Sequence, residues 1–129
     1  MRLMTQEEIK DVYPKLFKDI FGYEDTTSLP NIVMVRDDLR GFVSAVQIDK
    51  TTLYLLWGGS LDGFKAARKC WSDGEQFLKE QGIEYVTTKT PQDNTVWQRM
   101  LLGLGWMVSG VHWSGGRFQI ELFKNIKEL

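Results

Sequence analysis

The chain has 129 residues, the size of one ordinary domain and too short for two. With 43% hydrophobic and 26% charged residues it can bury a real core. Sixteen Lys plus Arg against 17 Asp plus Glu give a net charge of −1, so no overall basic field draws nucleic acid or anionic lipid. Cys70 is the only cysteine and His112 the only histidine. That excludes an intramolecular disulfide, a Cys-rich zinc site and a multi-His metal site, and any Ser/His/Asp triad would have to use His112. No apolar run reaches the roughly 18 residues of a membrane span. The start, Met1 to Glu8, turns acidic where a signal peptide would be apolar. The expectation is a cytoplasmic protein without a metal, a nucleic-acid partner or a membrane partner.

Thr5-Gln6-Glu7-Glu8 has the pattern of a capping box. Ile9, Val12, Tyr13, Leu16, Phe17, Ile20 and Phe21 follow at helical spacing, with a kink or break expected near Tyr13 because of Pro14. Gly22 is a natural stop. Tyr23 to Pro30, with Thr26, Thr27 and Ser28, reads as a polar loop. Three strands follow, at 31–35, 41–48 and 51–57, joined by short turns that favour an antiparallel meander. Gly58-Gly59-Ser60 reads as a break, and Leu61 to Gln81 as a long helix ended by Gly82. Ile83 to Thr88 is a fourth strand. Pro91-Gln92-Asp93-Asn94 is a turn able to cap a helix with Val96, Trp97, Met100, Leu101 and Leu104 on its apolar face. Residues 106–113 and 117–123 form a hairpin around Ser114-Gly115-Gly116, and Asn125 to Leu129 are expected to fray. Helices and strands alternate, so the expected class is α+β, a mixed sheet of about six strands with helices packed on it, in a single domain over residues 1–129.

From Leu53 to Phe123 this order resembles a GNAT-type N-acetyltransferase. The carrying residues are Gly82-Ile83 before Tyr85-Val86, Asn94 at the place of the family's turn Asn, and Leu104-Gly105-Trp106 in place of Leu-Gly-Phe. The resemblance covers a little over half of the chain. It implies that a central strand ends in a splayed bulge, that main-chain amides at the next helix start cradle a pyrophosphate, and that an amine attacks an acyl-CoA thioester. On that reading acetyl-CoA would be bound by Leu56, Trp57 and Gly58 at the strand end, by Lys65, Ala66, Ala67 and Arg68 at the helix start, and by Asn94.

The same residues depart from the family where its chemistry is concentrated. The loop signature Gln/Arg-x-x-Gly-x-Gly/Ala falls on Asp62 to Ala67, so that Asp62 replaces Gln/Arg and Lys65 replaces the first Gly. Lys65 either blocks close backbone approach or, with Arg68 and Lys69, supplies a cation. Leu101 stands where the family has a proton-donating Tyr, which leaves Tyr85, Tyr54, a water or an unprotonated thiolate as leaving-group options. The first strand is reduced to Arg2-Leu3-Met4 or absent, and the N-terminal part is abbreviated.

Cys70 reads as a small buried hydrophobe and His112 as a structural or surface residue. Trp71, Trp97 and Trp106 read as core, Trp57 as either cleft or core, and Trp113 as a surface residue that suggests a partner. Three functions fit: an N-acyltransferase acting on an amine; a non-catalytic protein of the same fold with an interaction or assembly role, as a homo-oligomer or in a phage virion; and an unrelated small α+β ligand-binding domain.

Overall fold

The computed structural model describes residues 1–25 and 29–129. Thr26, Thr27 and Ser28 of the expected polar loop lie outside the described residues. The N-terminal capping box forms as read. The Glu8 amide donates to Thr5 Oγ1 at 3.1 Å, and the Thr5 amide donates to the Glu8 carboxylate at 3.0 Å. This starts helix α1 (Gln6–Asp11), and α2 (Tyr13–Phe21) follows after a break at Val12. Pro14 sits in the first turn of α2, where its missing N–H removes no helix bond. Gly22 closes α2 in the left-handed conformation (φ 78°).

The strands are β1 (Arg2–Leu3), β2 (Ile32–Val35), β3 (Gly41–Gln47), β4 (Thr52–Ser60), β5 (Tyr85–Pro91), β6 (Met107–Ser114) and β7 (Arg117–Asn125). They form one sheet in the order β1-β2-β3-β4-β5-β7-β6. All neighbours are antiparallel except β4 and β5, whose connection passes through helix α3 (Phe64–Glu80). Helix α4 (Thr95–Gly103) joins β5 to β6. The sheet has seven strands because Arg2 and Leu3 do pair, with Val35 and Met34.

Side-chain alternation in β2 and β3 divides the core in two. Val33, Val35 and Phe42 pack with Ile9, Tyr13, Leu16 and Phe17 of α1 and α2. Met34, Val43 and Ala45 face the other way and join Cys70, Trp71, Leu78, Met100, Leu101 and Trp106. Cys70 is buried there, as read from its place on the long helix. No helix among the described residues is long and apolar enough to cross a membrane.

The structure corrects the sequence reading at several boundaries; β5 covers Tyr85–Pro91 rather than Ile83 to Thr88, and β7 runs on to Asn125. First, β4 does not break at Gly58 but runs on through Ser60. The two glycines stay in the strand because neighbours occupy the space of their missing side chains. A Cβ on Gly58 would lie 2.3 Å from Trp71 Nε1, and one on Gly59 would lie 2.8 Å from Ile20 Cγ2. Second, α3 starts at Phe64 rather than Leu61, because the longer strand leaves only Leu61, Asp62 and Gly63 as connection. Third, the C-terminal end is anchored. Ile126 is fully buried in the α3–α4 core, and its amide donates to the Glu84 carbonyl at 2.9 Å.

Candidate functional site

The sheet divides between β4 and β5. These strands pair only over Thr52–Tyr85, Leu53–Val86 and Tyr54–Thr87, although β4 continues to Ser60 and β5 to Pro91. Beyond that point each follows its other neighbour, β4 along β3 and β5 along β7. A bulge in β4 starts the divergence. The register with β3 steps from Ala45–Leu55 to Ser44–Trp57, which leaves Leu56 as the extra residue and bends the strand. Thr88 closes the base of the fork, its hydroxyl donating to the Leu55 carbonyl at 2.8 Å.

The fork opens into a cleft of about 390 Å³. Leu56, Trp57 and Gly58 line it from β4, Thr88 to Pro91 from β5, Trp71 from α3, and Asn94, Trp97 and Leu101 from α4. Phe21 and Tyr23 close it from the end of α2. Among the described residues, β4 past Tyr54 has no strand partner on its cleft side, which leaves main-chain groups from Leu56 to Gly58 facing the cleft. Trp71 contacts Trp97 (ring centroids 5.9 Å apart) and Trp106 (6.0 Å), and makes one wall of the cleft. Its indole N–H is the one buried side-chain polar atom, among the described residues, without a hydrogen-bond partner. Trp57 does both things expected of it: it lines the cleft and packs edge-on against Phe17 (5.0 Å) in the α2 cluster.

Beside the cleft lies the start of α3. Gly63 holds φ at 94°, a conformation that favours glycine, and no side chain caps the helix. Ala67 is the residue whose amide closes the first helical bond, to the Gly63 carbonyl at 3.0 Å. The preceding amides are therefore the free positive end of a 17-residue helix. Asp62 precedes this end, but two guanidinium groups hold its charge. Arg40 Nη2 is 2.7 Å and Arg36 Nη1 3.4 Å from its carboxylate. Hydrogen bonds from Arg40 keep its carboxyl below the usual range against the cost of desolvation, and the charges of Arg40 and Arg36 add to the lowering.

Of the residues singled out from the sequence, Leu56, Trp57, Gly58 and Asn94 meet in the cleft. Lys65, Ala66, Ala67 and Arg68 do not line it and stand on the first two turns of α3. Lys65 is exposed, Ala67 is buried, and Ala66 faces a groove with Arg36, Asp62 and Lys69. Arg68 reaches the Gly103 carbonyl at the end of α4 (3.5 Å). Asn94 has a structural duty as well: its side chain accepts from the Trp97 amide at 3.5 Å and caps α4. Leu101 lines the cleft, so the position that the resemblance assigns to an acid does face the site but offers no proton. Tyr54 and Tyr85 lie on the joined part of the strands and are not among the cleft residues. Sequence reasoning missed Phe21, Tyr23 and Lys89. Tyr23 carries the one phenol in the cleft lining and Lys89 its one cation. No motif marks them, because the packing of α2 against Trp57 brings the first two into place.

Solved structures superpose on nearly the whole of this chain. An N-acetyltransferase from Staphylococcus aureus Mu50 superposes with a TM-score of 0.74 over 97% of this chain and 96% of its own, at 14% identity. The ribosomal-protein-S18-alanine N-acetyltransferase from Escherichia coli gives 0.70 over 95% and 90%, at 10% identity. A Bacillus subtilis acetyltransferase in complex with CoA gives 0.66 over 96% and 97%, at 12% identity. The chain has the GNAT fold. Neither a protein-family model nor a curated protein sequence matches it. The likeness is thus one of backbone course.

Proposed function

We propose that this GNAT-fold chain binds an acyl-CoA, with acetyl-CoA as the reference ligand, and transfers the acyl group to an amine. The observation that carries this reading is the fork between β4 and β5, with its bulge at Leu56 and its cleft of about 390 Å³. The cleft side of Leu56–Gly58 offers main-chain groups to an extended amide-bearing arm, and the uncapped start of α3 offers amides to the pyrophosphate. Lys65, Ala66, Ala67 and Arg68 stand on those first turns, and Asn94 faces the arm from α4. Arg36 and Arg40 favour this arrangement, because they neutralise the one carboxylate that precedes the helix. Transfer forms a bond between the amine nitrogen and the acyl carbon and breaks the bond from that carbon to sulfur. The amine gives up a proton to solvent water, and CoA leaves as a thiolate that takes a proton up. Leu101 cannot protonate it, so the candidate side-chain donor in the cleft is Tyr23.

Ligand linkage gives the test. Free acetyl-CoA at about 100 times its dissociation constant stabilises the folded chain by about 2.7 kcal/mol. The expected outcome is a melting temperature that rises with acetyl-CoA concentration, and with CoA. No rise at millimolar acetyl-CoA overturns the reading.

A further inference from the structure

The sheet has two edges of very different kinds. One is β1, two residues long. The other is β6, eight residues long, with the sequence Met-Val-Ser-Gly-Val-His-Trp-Ser. Long edges are normally protected from pairing with other chains by lysines, prolines or inward-turned charges. β6 carries no Lys, Arg, Asp, Glu or Pro. Its apolar side chains are also uncovered. Val108 is 53% exposed, Val111 58% and Trp113 65%, and Trp113 packs edge-on against Phe118 of β7, itself 47% exposed. Register places Val108, Val111, Trp113 and Phe118 on one face and Gly110, His112 and Ser114 on the other.

We infer that β6 is a self-association edge, on which a second copy of this chain adds its own β6 antiparallel to make one continuous sheet. Three observations favour a second copy paired through its own β6. The strand is uncharged, so pairing it with itself sets no like formal charges against each other. Adding a copy through its β1 would match eight residues with two, whereas a two-fold pairing matches eight with eight. The register step at Ser109 also leaves Gly110–Ser114 as the regular segment, and the middle of that segment is His112. A two-fold axis at His112 sets Val111 of each copy opposite Trp113 of the other, an apolar cross-strand pair. The two His112 side chains then share the polar face, each beside its own Glu121 carboxylate (3.2 Å). The surface is smaller than the roughly 20–30 residues per side of a standard interface, so the dimer is a weak, concentration-dependent one. This inference stands on the edge strand alone and is independent of cofactor binding.

Sedimentation of the full chain over a concentration series tests it, with cysteine variants to fix the register. The mass is expected to rise from 14.9 kDa toward twice that value. Val111→Lys, a substitution at an exposed position, is expected to hold the monomer throughout, with the melting temperature of dilute samples unchanged. His112→Cys is expected to form an intermolecular disulfide, because opposed residues of an antiparallel pair lie about 4.5–5.5 Å apart at Cα. Ser109→Cys is expected not to, since its two copies lie about 20 Å apart in this register. The native Cys70 is buried and gives no background. The inference is overturned by a chain that stays at monomer mass, which would leave the edge to a different polypeptide. It is equally overturned by a dimer that Val111→Lys does not weaken, or by one that cross-links through Ser109→Cys and not through His112→Cys.

Discussion

Glu75 is 2% exposed and sits among tryptophans, yet it is satisfied on two sides. Lys124 Nζ lies 2.8 Å away and the Trp106 indole N–H donates at 3.1 Å. Burial pushes its carboxyl up, and Lys124 opposes that shift with a hydrogen bond and its charge. The Lys124 side chain is 12% exposed and also donates to the Leu104 carbonyl, so it ties β7 to the end of α4. Removing one partner of such a pair leaves a buried charge uncompensated, and Glu75→Ala is expected to cost about 3–5 kcal/mol in denaturant unfolding. Glu8 behaves differently. Hydrogen bonds from Arg2 and from the Thr5 amide lower its carboxyl to about 2 from an ordinary 4.5. A carboxyl depressed in the folded state contributes stability above the unfolded value and loses it as pH falls through the folded value. Glu8→Gln is therefore expected to flatten the fall in stability between about pH 4.5 and about pH 2, and to leave its shape near neutral pH unchanged. Acid titration of the melting temperature reads this out.

At the scale of elements, much of the chain was legible because the signals are local. The capping box, the break near Tyr13, the stop at Gly22 and the Asn94 cap each need only near neighbours, and each formed. The errors came where distant residues decide. Gly58 and Gly59 look like a strand terminus, but Trp71 and Ile20 require them inside β4. Gly58→Ala is expected to force the Trp71 indole aside, destabilising the fold by about 1–3 kcal/mol and weakening acetyl-CoA binding. A variant that melts and binds like the parent would contradict that account of the glycine. The role of Lys65 is likewise unreadable from its motif, because main-chain amides at an uncapped helix start can meet an anion without any side chain. The exposed Lys65 side chain makes a cation contribution the expected one. Lys65→Gly should weaken acetyl-CoA binding, with a loss that shrinks as salt is raised. Tighter binding by this variant would mean that the side chain obstructs the loop.

At the scale of the whole molecule, the resemblance read over Leu53 to Phe123 extends to nearly all of the chain as a matter of backbone course. The N-terminal elements are short, with β1 of two residues and α1 of six. What the sequence could not convey was the far wall of the cleft. Phe21 and Tyr23 reach it only because α2 packs beside Trp57, a contact between residues more than 30 positions apart. The five tryptophans consequently divide by position. Trp57, Trp71 and Trp97 line the cleft, Trp106 is buried behind it, and Trp113 stands on the open edge. That division makes the central claim directly measurable. In a nitrogen-15 correlation spectrum of the full chain titrated with acetyl-CoA, the indole signals of Trp57, Trp71 and Trp97 are expected to move together and saturably, while that of Trp113 stays in place. A titration in which none of the three moves, or in which only Trp113 does, would contradict the assignment of the β4–β5 fork as the acyl-CoA site.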